Sequence, residues 1–169
     1  IDFVVRRQSL LARIRAAEQR HHRPSGSVQL LAVSKTQPVA AIAALAAAGQ
    51  SAFGENYAQE ALDKIAALAT LGLEWHFIGP LQANKTRAVA ERFAWVHSVD
   101  RLKIAERLSV QRPIELPPLN ICLQVNIDRE LAKHGLDPSE VAAVAQAVAA
   151  LPNLRLRGLM AIPAPVADF

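Results

Sequence analysis

The chain has 169 residues, 51% hydrophobic and 20% charged, which excludes disorder as its main state and allows one domain with a sizeable core. No apolar run reaches the roughly 18 charge-free residues of a membrane-spanning helix, and the N-terminal residues lack the pattern of a secretory signal. The formal charge of +4 comes from residues 1–24, where six arginines (Arg6, Arg7, Arg13, Arg15, Arg20 and Arg23) meet only Asp2 and Glu18; the remainder carries thirteen basic and thirteen acidic side chains.

The single cysteine, Cys122, rules out an internal disulfide and suits a reducing compartment, so a cytoplasmic location is expected. An arginine-rich start could face nucleic acid or an acidic partner. No aromatic interleaving or nucleic-acid motif accompanies it, so a solvated helix face is the preferred reading.

In chain order, Val4, Leu11 and Ile14 recur at near-helical spacing with Arg6, Arg13 and Arg20 off that stripe. The spacing predicts a basic amphipathic helix, closed by the break at residues 21–26, so that 1–24 and 25–169 are read as two units. Val28–Val33 is the first predicted strand. Pro38 then suits the first turn of an alanine-rich helix running to Ala48 and stopping at Gly49. Residues 51–53 form a short strand, 54–56 a turn, and Tyr57–Leu68 a helix with Ala58, Leu62, Ile65 and Leu68 on one face. Trp75–Ile78 is a third strand, broken by Gly79-Pro80. A helix at 84–93, a strand at 94–98, a helix at 101–108 and a loop at 113–118 follow, then an apolar strand, Leu119–Val125. Asp137-Pro138-Ser139-Glu140 reads as a helix start, with cap, first-position proline and capping-box glutamate. That helix runs to Leu151, and Leu154–Leu159 is a sixth strand.

Six βα steps with short apolar strands predict an α/β fold with a parallel sheet covered by helices. Two architectures remain open, a doubly wound sheet and a TIM-type (β/α)8 barrel. The first lacks a G-x-G-x-x-G after strand one; the second needs eight strands, of which six are present.

Working residues of such barrels gather at the C-terminal strand ends, which here carry Ser34-Lys35, Glu55-Asn56, Gly79 after His76, Ser98 with Asp100, Asn126 and Met160. Lys35 is the leading candidate. An amine with an apolar strand behind it can be desolvated, lowering its pKa so that the neutral form attacks a carbonyl; the alternative is a solvated turn residue. His76 lies in an apolar strand and reads as a hydrogen-bonded core histidine. The histidines and the cysteine show no metal-ligand spacing, and Ser34, His76 and Asp100 lack the elbow of a hydrolytic serine. Cys122 reads as packing. Lys133, in the loop after the fifth strand, could reach a site or face water.

The segments Leu31-Ala32-Val33-Ser34-Lys35-Thr36, Phe53-Gly54-Glu55-Asn56-Tyr57, Trp75-His76-Phe77-Ile78-Gly79-Pro80-Leu81-Gln82, Asn84-Lys85, His97-Ser98-Val99-Asp100 and Gly158-Leu159-Met160-Ala161-Ile162 closely resemble the pyridoxal phosphate homeostasis protein family. That family is similar to the N-terminal barrel of alanine racemase. The resemblance implies a TIM-type barrel that binds pyridoxal 5′-phosphate (PLP) as a Schiff base on Lys35, acting as a carrier or regulator in intracellular vitamin B6 homeostasis without established catalysis. Asn56 and Met160 match pocket-lining positions, His76 a wall position, and Lys133 a lysine of a mobile loop involved in cofactor transfer. Client PLP enzymes and a monomeric state are expected.

The sequence departs from the family after the sixth strand. Family members continue for about two more βα units, whose Ser/Gly/Met and Gly-Thr segments cup the phosphate, and neither segment is present. A piece of a longer protein is therefore expected. Two alternatives follow: a PLP-dependent racemase-like enzyme, or a fragment that no longer binds the cofactor.

Overall fold

The computed structural model describes residues 2–130 and 134–164. Helix α1 (Phe3–Arg20) precedes five alternations: β1 (Ala32–Val33), α2 (Val39–Ala47), β2 (Ala52–Glu55), α3 (Ala58–Ala67), β3 (Glu74–Phe77), α4 (Thr86–Arg92), β4 (Trp95–Val99), α5 (Leu102–Gln111), β5 (Leu119–Val125), α6 (Val141–Ala149) and β6 (Leu154–Ala161). All neighbouring strands are parallel, in the order β1-β2-β3-β4-β5-β6. A doubly wound sheet reverses its strand order at a switch point; this order never reverses, so the doubly wound alternative is set aside and the barrel-type winding stands. Among the described residues the barrel is not closed: β1 and β6 are the two edges.

Strand β5 forms residue for residue as its apolar run predicts, and Leu119, Ile121 and Leu123 are fully buried. Several other boundaries differ. The first strand is not Val28–Val33 but two residues long, because Leu30 lends its carbonyl to Gln50 Nε2 (2.7 Å) instead of to a ladder. The predicted turn at 54–56 is largely strand, since Gly54 and Glu55 pair with His76 and Phe77. Strand β6 continues through Met160, which pairs with Gln124. Residues 138–140 turn before α6 begins at Val141, whose N-cap Glu140 makes no side-chain cap bond; the predicted cap residues bond one another within the turn instead, Glu140 Oε2 accepting from the Asp137 amide (3.1 Å) and Asp137 Oδ1 from the Ser139 amide (2.9 Å).

The register sorts the side chains into two faces. Ala32, Phe53 and Trp75 share one row, and Glu55, Phe77, Val96, Ile121 and Leu156 another, both facing the helices. This face holds the core, with Phe77 edge-on to Phe93 (5.5 Å, 86°) and Ile42, Ile104 and Leu108 buried above it. Val33, Gly54, His76, Trp95, Asn120 and Arg155 form a row on the opposite, inner face.

The stripe predicted for α1 is only partly covered. Val4 and Val5 are exposed, and Glu18 alone is buried. Polar contacts hold the helix in place. Arg7 donates to the Ala48 and Gly49 carbonyls (3.0 and 2.7 Å) and to Gln50 Oε1 (3.2 Å) at the C-terminus of α2, where a cation meets the negative end of a helix dipole. Glu18 accepts from the Gly26 and Val28 amides and from Arg15.

Candidate cofactor-binding site

Lys35 opens the turn after β1, exposed, at the C-terminal edge of the sheet. Ser34 extends the ladder by one bond, its amide donating to the Gly54 carbonyl at 2.9 Å. The turn closes through Gln37 N–H to the Ser34 carbonyl (3.1 Å), with Thr36 at a left-handed φ of 61°. Of the two readings the sequence left open, a desolvated amine and a solvated turn residue, the structure shows the exposed turn position.

Asn56, one residue beyond β2, lies two residues past Gly54, just as Lys35 lies two past its partner Val33. Asn56 is half-buried, and its Oδ1 is buried without a hydrogen-bond partner. Its backbone is held by Gly79: a Cβ there would fall 2.2 Å from the Asn56 carbonyl oxygen. The Gly79 carbonyl also accepts from Ser98 Oγ at 2.5 Å, which ties the ends of β2, β3 and β4 together.

A cavity of about 220 Å3 opens at these strand ends, lined by Asn56, Ile78, Pro80, Gln124, Val125, Asn126, His134 and Ile162. Its far wall is a short segment laid beside β5: the Leu136 amide donates to the Gln124 carbonyl (2.8 Å), the Asn126 amide donates to the Leu136 carbonyl (2.9 Å), and Gln124 Nε2 donates to the His134 carbonyl (3.2 Å). Gly135 permits this approach, with φ at 132° and only 2.6 Å between a built Cβ and the Asn126 nitrogen. Asp100 lies at the same end, between Arg101 (2.7 Å) and His134 (3.5 Å).

Of the strand-end residues singled out in the sequence, Asn56 and Asn126 line this cavity, whereas Lys35, His76 and Met160 do not. Met160 is half-buried on β6 beside Gln124, two residues before the lining Ile162. His76 lies deeper. It stacks on Trp95 (5.4 Å, 9°), bonds His97 through Nδ1 (2.9 Å) and meets Glu74 through Nε2 (2.9 Å). Burial lowers its pKa against the opposing pull of Glu74, and burial with neighbouring His76 lowers that of His97 to about 4. Arg157 covers Trp95 at 5.4 Å, two residues after Arg155 on the same inner face and opposite no β5 residue. Lys133 lies outside the described residues. Gln124 and Arg157 were not singled out in the sequence, and His97 only within a matching segment; the polar residues at alternate positions of β5 were the signal available for Gln124.

The lining fits an aromatic aldehyde of PLP's kind in part. Ile78, Pro80, Val125 and Ile162 offer apolar contact for a ring, and the orphaned Asn56 oxygen awaits a donor. The volume lies below the roughly 300 Å3 where drug-sized clefts begin, on the scale of one substituted ring. Among the described residues the lining contains no lysine or arginine to face a phosphate. No group of three or more His, Cys, Asp or Glu side chains among them is placed to hold a metal.

A parallel sheet wound without reversal, each strand but the last followed by a helix, defines a fold of the (β/α) barrel type. Residues 5–168 match the family model for the alanine racemase N-terminal domain. The pyridoxal phosphate homeostasis protein of Pseudomonas aeruginosa is 64% identical over 157 residues, covering 93% of this chain and 68% of that one. Its namesake in Escherichia coli is 57% identical over 160 residues, with the same two shares. PipY of Synechococcus elongatus, solved with PLP bound, is 44% identical, with a TM-score of 0.76 over 91% of this chain and 71% of its own. The chain belongs to the pyridoxal phosphate homeostasis protein family.

Proposed function

We propose that this protein binds pyridoxal 5′-phosphate at the C-terminal strand ends, anchored on Lys35, and acts in intracellular PLP homeostasis as a carrier that performs no catalysis of its own. The observation that carries the reading is the position of Lys35: an accessible amine at the end of β1, one strand from the unsatisfied Asn56 oxygen. The solved relative PipY holds PLP.

The chemistry balances without a further reactant. The neutral Lys35 amine attacks the aldehyde carbon, a C=N bond forms, and water leaves. The step is reversible, as release to another protein requires. Ile78, Pro80, Val125 and Ile162 would exclude water from the ring, Asn56 would accept a hydrogen bond from it, and Met160 would pack beneath. His76, bonded to His97 and Glu74, supports the wall without touching the ligand, and Lys133 would assist transfer to clients. The same proposal has the protein monomeric and cytosolic, with PLP-dependent enzymes as acceptors; free Cys122 suits that compartment.

Titration with PLP tests this directly. The protein should develop the absorbance band of a lysine Schiff base, and Lys35→Ala should lose it while keeping its melting temperature. A wild-type protein without the band, or a Lys35→Ala variant that retains it, sinks the proposal. Washout of α-protons from an amino acid in deuterated water would instead favour a racemase-like enzyme.

A further inference from the structure

An ionic cluster lies on the helix-facing side of the sheet, directly behind Lys35. Lys64 occupies the buried face of α3, its side chain 6% exposed, where helical spacing would put an apolar residue. Its ammonium group meets three oxygens: the Ser34 carbonyl (2.7 Å), Glu55 Oε1 (2.8 Å) and Glu60 Oε1 (2.6 Å). Ser34 Oγ donates to the same Glu55 oxygen (2.6 Å), and Glu60 Oε1 also accepts the Thr36 amide (2.6 Å). One cluster therefore grips the carbonyl of the peptide before Lys35 and the N–H of the peptide after it.

Burying a charged lysine and a carboxylate for packing alone is poor design, because apolar residues of similar volume fill such a space as well or better. Here Glu55 Oε2 is even left without a hydrogen-bond partner. What the ions do that apolar residues cannot is fix backbone polar groups. The backbone they fix is also strained, since Thr36 is β-branched and left-handed. Left free, Thr36 would relax to negative φ and swing the Lys35 side chain away from the strand ends.

We propose that Lys64, Glu55 and Glu60 are positioning residues: they hold the 34–37 turn in its strained form and thereby aim the Lys35 amine at an aldehyde-bearing ligand. The inference rests on the reading of Lys35 as the anchor.

Glu60→Ala is the test variant. It removes the acceptor of the Thr36 amide, and Glu60 is the partner most open to solvent, at 30% side-chain exposure, so Lys64 keeps Glu55 and the fold is retained. Two readouts are taken: hydrogen exchange of the Thr36 amide without cofactor, and PLP affinity by the Schiff-base band. Glu60→Ala should speed Thr36 exchange and weaken PLP affinity, each by about tenfold, the scale of one lost hydrogen bond. Adding Thr36→Gly, which tolerates the left-handed φ at no steric cost, should restore most of the affinity. Wild-type affinity in Glu60→Ala, or a loss that Thr36→Gly does not repair, overturns the positioning role. Absence of the band in the wild type overturns the anchor reading and the positioning role with it; that failure is told apart by appearing before any cluster residue is changed.

Discussion

Asn56 and Gly79 show how tightly single residues are specified at the strand ends. A methyl group at position 79 would stand 2.2 Å from the Asn56 carbonyl oxygen and 2.6 Å from its Cα, both backbone atoms with nowhere to give. Gly79→Ala should therefore cost about 1–3 kcal/mol, the usual range for overpacking, measurable in a urea melt, and should weaken PLP binding by displacing Asn56. The paired histidines give a second outcome. His97 is held at about 4, against 6.5 for a free histidine, by burial and by His76. Its folded pKa is depressed, so protonation favours the unfolded chain: this stabilisation is present above about pH 6.5 and is lost as pH falls towards 4. Stability measured by urea midpoints should decline across that window, and His97→Gln should flatten the slope.

At the scale of elements, α1 is attached by ions more than by apolar area. Hydrogen bonding from Arg15, against the cost of burial and aided by the Val28 and Gly26 amides, lowers the pKa of Glu18 from 4.5 to about 2. The sign is that of a depressed carboxylate: the contribution is full above about pH 4.5 and disappears as pH falls towards 2. Amide exchange within α1 should accelerate through that window before the sheet opens, and Glu18→Gln should remove the effect and lower the melting temperature. The elements differed in how far the sequence announced them. Strand β5 was legible to the residue because Leu119, Ile121, Leu123 and Val125 alternate with smaller or polar residues between Pro118 and Asn126, whereas the cap residues Asp137 to Glu140 announced a helix that begins only at Val141. The ends of β1 and β2 were not, since strand length depends on which distant backbone groups pair, and Gln50 takes the Leu30 carbonyl that a ladder would use. Lys64 was hidden for a related reason: a lysine on a helix reads as solvent-facing until the carboxylate of Glu55 is known to lie beneath it.

For the whole molecule, six strands in sequential order place every strand end on one rim, so residues far apart in the chain, from Asn56 to Ile162, line one cavity. The alternation of strands and helices made this class of fold legible, whereas the choice between barrel and doubly wound sheet turned on strand order, which no local pattern encodes. Of the candidate site, the strand-end positions of Lys35 and Asn56 were legible, but the cavity wall at 124–126 and 134–136 depends on a backbone segment folding back beside β5. Everything proposed for this rim turns on Lys35 being the residue joined to the cofactor. Incubating the protein with PLP, reducing any C=N bond to a stable C–N bond with borohydride and mapping the peptides by mass tests it most directly. A single pyridoxyl phosphate adduct on Lys35 is expected; an unmodified Lys35, or an adduct confined to another lysine, rules Lys35 out as the anchor.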